Sequence, residues 1–239
     1  MARRRFFVDS IRSGAAELRG DEARHLTRVL RVEPGQQFEI SDNLSAYLAE
    51  IAEARGERVV FRVLEPVDSA EPPVRVTLYA ALFKFDRFEW MIEKVTELGV
   101  DRIVPVETTR SEKGLLEASR KRLERWARVA RESSQQSRRL RIPEIAAAIR
   151  LDGCLSDARG LRYFLEENAA PPLLSVLPPL RDAGTQVSLL LGPEGGWTDP
   201  ERAKTSAAGW QPVSLSPQVL RAETAAAAAL AIVVNAWMP

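Results

Sequence analysis

The chain has 239 residues, a formal net charge of +1, 45% hydrophobic residues and 28% charged residues. That is the balance of a soluble globular protein with a sizeable core, in one large domain or a large and a small one. One cysteine, Cys154, excludes an intrachain disulfide, and one histidine, His25, leaves a His/Cys metal site or a Ser-His-Asp triad almost without material.

The N-terminal "MARRRFFVDS" turns polar too soon for a signal peptide, and a cytoplasmic protein is the expectation. "RRRFFV" reads as a short strand. "GDEARHLTRVLR" reads as a short helix with Asp21 as N-cap and Leu26, Val29 and Leu30 as its apolar stripe. "QFEIS", "AYLAEIAEA" and "RVVFRVLE" are alternating or β-branched strands with turns at Asp42-Asn43 and Arg55-Gly56. Several short strands and one helix predict a small barrel. "EPVDSAEPP", with three prolines and no periodicity, then sets a domain boundary, giving domains 1–70 and 71–239.

Beyond it strands alternate with helices. "VRVTLYAAL", "DRIVPVE", "LRYFLEEN", "VSLLLG" and "QPVSLS" are the strands. "FDRFEWMIEKVTELG" is an amphipathic helix with Phe88, Met91, Ile92, Val95 and Leu98 inward, ended by Gly99. "EASRKRLERWARVARESSQQS" reads as one long basic helix with Leu123, Trp126, Val129 and Ala130 inward. "DPERAKTSAAG" is a helix capped by Thr198 or Asp199, with Pro200 near its start. Such alternation predicts an α/β domain with a largely parallel sheet. The last helix, "RAETAAAAALAIVVNAW", has almost no polar face and must be buried on most sides. It is too short for a membrane span, which needs roughly 20 apolar residues.

Charge is uneven. Residues 1–31 hold eight arginines against four acids, and residues 110–141 hold eleven Lys/Arg against four acids. Two basic stretches suit a face toward a polyanion, although a solvated helix surface is the more ordinary account of either one alone.

"LLLGPEGGW", Leu189 to Trp197, ends a strand in a stiff glycine loop with a carboxylate inside it. It lacks the Gly-Lys-Ser/Thr of a phosphate loop and the G-x-G-x-x-G of a dinucleotide site. The glycines permit close backbone approach to a ligand, and Glu194 suits a ligand with hydroxyl or cationic groups. A tight structural turn would use the same residues. "SLSPQVLRAET", Ser214 to Thr224, again follows a strand and opens a helix, so the two loops line one crevice.

"LLLGPEGGWTDPE" followed by "VSLSPQVLRAETAAAAALA" closely resembles the RsmE family of bacterial 16S ribosomal RNA uridine-N3 methyltransferases, of the SPOUT or α/β-knot class. "KFDRFEWMIEKVTELGVDRIVPV", "RWARVARESSQQSRRLRIPEI" and the N-terminal strands extend the resemblance over essentially the whole chain. Ser216 stands where glycine is common and Ala222 where threonine is common. The resemblance implies a PUA-like N-terminal barrel, a C-terminal trefoil-knot domain, S-adenosylmethionine as methyl donor, and a homodimer. Its implied target is 16S rRNA within the small ribosomal subunit, with no membrane and no metal. It implies a donor pocket of Glu166, Leu191, Gly192, Pro193, Glu194, Gly195, Gly196, Leu215, Ser216, Leu220, Ala222 and Thr224. Arg221 is the implied stabiliser of the uracil, with Glu194 or Glu223 taking its proton. Loop bracing and helix capping are the alternative roles of those two acids. RNA contacts fall to Arg3, Arg4, Arg5, Lys84, Arg138 and Arg139. The rivals are a SPOUT enzyme acting on another RNA, such as a transfer-RNA ribose, and an RNA-binding assembly factor without catalysis.

Overall fold

The computed structural model describes residues 4–238, so the expected RNA contact Arg3 lies outside the described residues. The chain folds into two units, one of residues 1–71 with 134–142 and one of residues 72–133 with 143–239. Residues 134–142, which follow the break at residue 70 in the chain, group by contacts with the first unit.

In the first unit β1 (Arg5–Phe7), β2 (Ile11–Arg12) and β3 (Ala15–Arg19) precede α1 (Gly20–Arg24). β4 (Gln37–Ser41), β5 (Ala46–Arg55) and β6 (Arg58–Pro66) follow, and the sheet runs β1-β4-β5-β6-β3-β2. Only the β1–β4 pair is parallel. Two bulges, at Leu48/Ala49 and Ile51/Glu53, let the long β5–β6 ribbon bend around its core of Phe6, Leu18, Ile40, Ile51 and Phe61. The helix departs from the sequence reading. Arg19 occupies its N-cap, Asp21 lies in the first turn, and a π-helical turn follows at His25–Val29. The wider turn shifts the helical phase, so Leu26 is buried while Val29 and Leu30 are exposed.

Arg5 is another departure. Its guanidinium is buried, donates to Glu39 Oε2 from Nε (3.1 Å) and Nη2 (2.8 Å), and reaches the Arg138 carbonyl from Nη1 at 2.7 Å. A cation so enclosed ties residues 134–142 to the sheet and is not free to meet a phosphate. Ser41 Oγ donates to the Leu140 carbonyl (2.7 Å) and the Ile142 N–H donates to Asn43 Oδ1 (3.0 Å), completing that attachment.

The second unit is a parallel sheet. Its elements are β7 (Arg75–Ala81), α2 (Phe85–Glu97), β8 (Arg102–Glu107), α3 (Leu115–Arg120), α4 (Leu123–Gln136), β9 (Glu144–Ile145), β10 (Ile149–Arg150) and α5 (Leu151–Asp157). Then come β11 (Leu161–Leu165), α6 (Leu173–Val176), β12 (Gln186–Leu191), α7 (Asp199–Ala207), β13 (Gln211–Val213) and α8 (Ala222–Trp237). The strand order is β10-β8-β7-β12-β11-β13, with β9 also on β8. Successive residues of β7, β8 and β12 are buried, as expected of strands covered on both faces.

The basic stretch is two helices, because the Lys121 and Arg122 N–H groups bond back three residues, to Ala118 and Ser119, and tighten the chain. Trp126 and Ala130 of α4 are fully buried. α8 packs on α2, α6, β7 and β12, yet Ala227, Ala228, Ala231, Ile232 and Val234 stay half-buried. No helix among the described residues is long and apolar enough to cross a membrane.

Removing one partner of a buried pair strands the other charge, at a cost of about 3 kcal/mol or more. Glu39→Gln should therefore lower the denaturant midpoint far more than Glu53→Gln, a half-buried counterpart on the same sheet, when both are followed by chemical unfolding.

Candidate functional site

The register aligns Phe164 with Leu190 and Leu165 with Val213, so β11, β12 and β13 end level with one another. Their carboxyl-end loops surround a cavity of about 280 Å³, the position where open α/β sheets hold ligands.

The loop Gly192–Gly196 is shaped by Trp197. That indole is buried, sits edge-on to Phe164, and donates from Nε1 to the Leu165 carbonyl at 2.8 Å. A Cβ on Gly192 would lie 2.9 Å from the indole, so glycine is what lets the ring pass beneath the loop. Gly196 has φ +70° and its N–H closes a turn on the Pro193 carbonyl (2.9 Å). Two arginines hold the loop from outside. Arg110 Nη1 donates to the Gly195 carbonyl at 2.6 Å, and Arg87 Nη1 donates to Glu194 Oε1 at 2.5 Å.

Behind the loop, α7 starts with a reciprocal cap. Thr198 Oγ1 accepts from the Glu201 N–H, and Glu201 Oε2 accepts from the Thr198 N–H. Glu201 Oε1 takes the Thr109 N–H at 2.7 Å, fastening the loop after β8 to the start of α7. Burial works to raise the carboxyl's pKa, but these backbone donors outweigh it and hold the group below its ordinary 4.5.

Glu166 follows the same logic. Burial pushes its pKa up, while the Arg202 guanidinium and the N–H groups of Asn168 and Glu167 bring it below 4.5. Oε1 meets Arg202 (3.3 Å), Glu167 (3.0 Å) and Asn168 (3.1 Å), whereas Oε2 meets only Arg202 Nε (2.7 Å). Oε2 thus keeps acceptor capacity to spare, on a residue that lines the cavity.

The other wall is the Leu215–Arg221 loop. Ser216 Oγ accepts from the Gln218 N–H (3.1 Å) and bonds Gln218 Oε1 (2.9 Å), rounding the turn. Arg221 occupies the N-cap of α8, and its exposed guanidinium has no partner among the described residues.

Of the expected pocket residues, Glu166, Leu191, Gly192, Pro193, Glu194, Gly196, Leu215, Ser216, Leu220 and Ala222 line the cavity, and so does Arg221, the expected stabiliser of the uracil. Gly195 does not, and its carbonyl is taken by Arg110. Thr224 and Glu223 line a neighbouring groove with Asp86, Arg87, Trp90 and Arg221, because the first turn of α8 points them toward α2. Arg87, Arg110 and Arg202 escaped the sequence reading; no spacing links them to the loops they hold. Among the RNA candidates, Lys84 is exposed at the start of α2, and Arg4 stacks over Phe6 at 5.6 Å. Arg138 is exposed and 3.5 Å from Glu39, and Arg139 is half-buried. Arg120 pairs with Glu117, and Arg122 and Arg125 pair with Glu89, so part of the basic stretch is balanced internally. Cys154 is buried, its thiol pKa pushed far up by burial and by Asp157, and His25 is exposed.

An RNA methyltransferase domain family matches residues 70–234, and an RNA methyltransferase PUA domain family matches residues 18–64. The chain belongs to the ribosomal RNA small subunit methyltransferase E family. The member from Mycobacterium bovis is 35% identical over 95% of this chain and 90% of its own length. That of Synechocystis is 36% identical over 87% of this chain and 68% of its own. Among solved structures, the family member from Neisseria gonorrhoeae bound to S-adenosyl methionine superposes with a TM-score of 0.88. It is 28% identical and covers 99% of this chain and 98% of its own. A Legionella pneumophila methyltransferase in complex with the cofactor SAM gives the same score at 29% identity, covering 99% and 98%. Within this family fold, the internal carboxylates set the acid limit of the site. Glu166 and Glu201 have lowered folded pKa values, so each stabilises the native state above pH 4.5, and the contribution is lost as pH falls below that value through the lowered one. Urea midpoints should be level from neutrality to about pH 5 and then drop. Glu201→Gln should lower the neutral midpoint and flatten the drop.

Proposed function

We propose that this protein transfers a methyl group from S-adenosylmethionine to N3 of one uridine of 16S ribosomal RNA, within the small ribosomal subunit, as a cytoplasmic homodimer. The observation that carries the reading is the convergence of the Gly192–Gly196 and Leu215–Arg221 loops on one cavity at the carboxyl ends of β12 and β13, in a chain of the methyltransferase E family.

The cavity fits such a donor. Leu165, Leu191, Leu215 and Leu220 give it apolar walls for a flat ring, and Glu166 Oε2 offers an acceptor to ribose hydroxyls. When bound, S-adenosylmethionine supplies a methyl group already activated on a sulfonium. The glycines of the first loop let backbone groups close on it, and the loops fix its direction toward the acceptor, which is where positioning lowers the barrier. Arg221, at the cavity mouth with an unpaired guanidinium, stabilises negative charge on the uracil oxygen as N3 loses its proton. Glu194 is held by Arg87 and acts as the loop's brace. Lys84, Arg4, Arg138 and Arg139 meet RNA phosphates, which position without reading sequence.

α8 would pass through the knot and contribute its half-buried Ala228, Ala231 and Ile232 to the subunit contact. Burial there satisfies a helix that is apolar on every side.

Small subunits from a strain lacking the modification, treated with protein and donor and then digested, should contain 3-methyluridine by mass spectrometry. A ribose-methylated nucleotide instead would sink the base-methylation reading, and no donor binding by calorimetry would favour an assembly factor. Arg221→Ala should keep donor binding and lose about 100-fold or more in turnover.

A further inference from the structure

The amino edge of the second unit's sheet holds a cavity of its own, of about 310 Å³, at the opposite end of β12 from the donor cavity. β12, six residues at about 3.3 Å each, sets the two apart by roughly 15 Å. Three guanidinium groups line the edge cavity, from Arg75 at the start of β7, Arg102 at the start of β8 and Arg159 just after α5. One carboxylate, Asp157, lines it with them, so cations outnumber acids on its wall by two. That acid is already engaged, because its Oδ2 accepts from Arg102 Nη1 (2.6 Å) and from the Tyr79 hydroxyl (2.8 Å). Arg75 donates to Asp101 (2.8 Å) and Arg102 Nε lies 3.3 Å from Glu144, two acids that do not line the cavity. Arg159 has no carboxylate partner among the described residues; its Nη1 donates to the Ser156 and Ala158 carbonyls at 3.0 and 3.2 Å. Its backbone is nevertheless fixed. The buried Ser188 hydroxyl accepts from the Arg159 N–H (3.2 Å) and donates to the Arg159 carbonyl (2.8 Å). Gly160, at φ +69°, brings the turn so close to β12 that a Cβ would collide with the Gln186 carbonyl.

We propose that this cavity is a second ligand site, which takes a phosphate dianion, either free inorganic phosphate or the phosphate end of a small phosphomonoester. A phosphate monoester carries about −1.5 to −2 charge at pH 7, which matches the excess of cations on the wall. A diester phosphate of RNA carries a single charge and would leave part of that excess unmet. Guanidinium donors form paired, charge-assisted bonds with phosphate oxygens, and Arg159 keeps Nε and Nη2 for them. The Thr77 hydroxyl and the Gln186 amide, which also line the cavity, supply uncharged donors to the remaining oxygens. The backbone of Arg159 is ordered before any ligand arrives, so its ordering does not oppose binding. The site shares no residue with the donor cavity. It therefore stands apart from the methyl-transfer reading, and its ligand and the methyl donor bind independently.

The test is calorimetry on the full chain in a phosphate-free buffer, with and without S-adenosylmethionine. Inorganic phosphate should bind saturably, one per chain, with the same affinity in both conditions. Methyl phosphate should bind comparably, and dimethyl phosphate about tenfold or more weakly. Arg159→Ala should weaken phosphate binding about tenfold or more, with Arg159→Lys recovering part of the loss. Thr77→Val, close in shape but without the hydroxyl, should weaken it several-fold while the circular dichroism stays parental. The absence of saturable phosphate binding, or parental affinity in Arg159→Ala, overturns the proposal. Loss of phosphate binding when S-adenosylmethionine is added also overturns it, since the anion would then occupy the donor cavity. Equal affinity for dimethyl phosphate overturns the choice of ligand and assigns the wall to RNA diesters instead.

Discussion

The hydrogen bond from the Trp197 indole to the Leu165 carbonyl fixes the geometry on which the cavity depends. It joins the end of β11 to the loop that leaves β12, and it places a large ring under Gly192, where a side chain would collide. The loop can then neither sag into the cavity nor lift from it. A glycine segment is normally an entropic liability, since its backbone has most freedom to lose. Here the ring below, Arg110 and Arg87 outside, and the capped α7 behind remove that freedom before any ligand arrives. Preorganisation of this sort keeps the cost of ordering out of the binding step.

The carboxylates of the site fall into distinct classes by partner. Glu166 and Glu201 spend their charge on backbone N–H groups and Arg202, so they work as internal fasteners. Glu194, with a similar formula in the sequence, is neutralised by Arg87 at the surface of the loop. Glu223 alone among the four is buried with an oxygen lacking a donor. Identical chemistry is thus bonded in place or left without a donor according to what surrounds it. The same contrast separates the arginines: Arg5 is enclosed by Glu39 and a carbonyl, whereas Arg221 faces the cavity unpaired.

Much of this was legible in the chain. The strand-to-helix alternation, the proline-rich break, the two loops and the all-apolar last helix are local patterns whose period or composition states their environment. Most residues that the RsmE resemblance named line one cavity because they sit in two contiguous stretches. Less visible were the short β9, β10 and α6, which have too few residues to show a period, and the break between α3 and α4, where good helix formers conceal a tight turn. Val29 and Leu30 misled because a π-turn alters the phase that the apolar stripe assumes.

The sequence by itself determined the elements, the class of sheet and the positions of the two loops, because each depends on neighbours within a few residues. Only the tertiary structure decided which charges are free. Arg87 lies 107 positions from Glu194, Arg5 lies 34 from Glu39, and Glu201 lies 92 from Thr109. Whether a charged group is a fastener or a functional group is set by partners at such separations. The fold brings those partners together, and no local pattern encodes them.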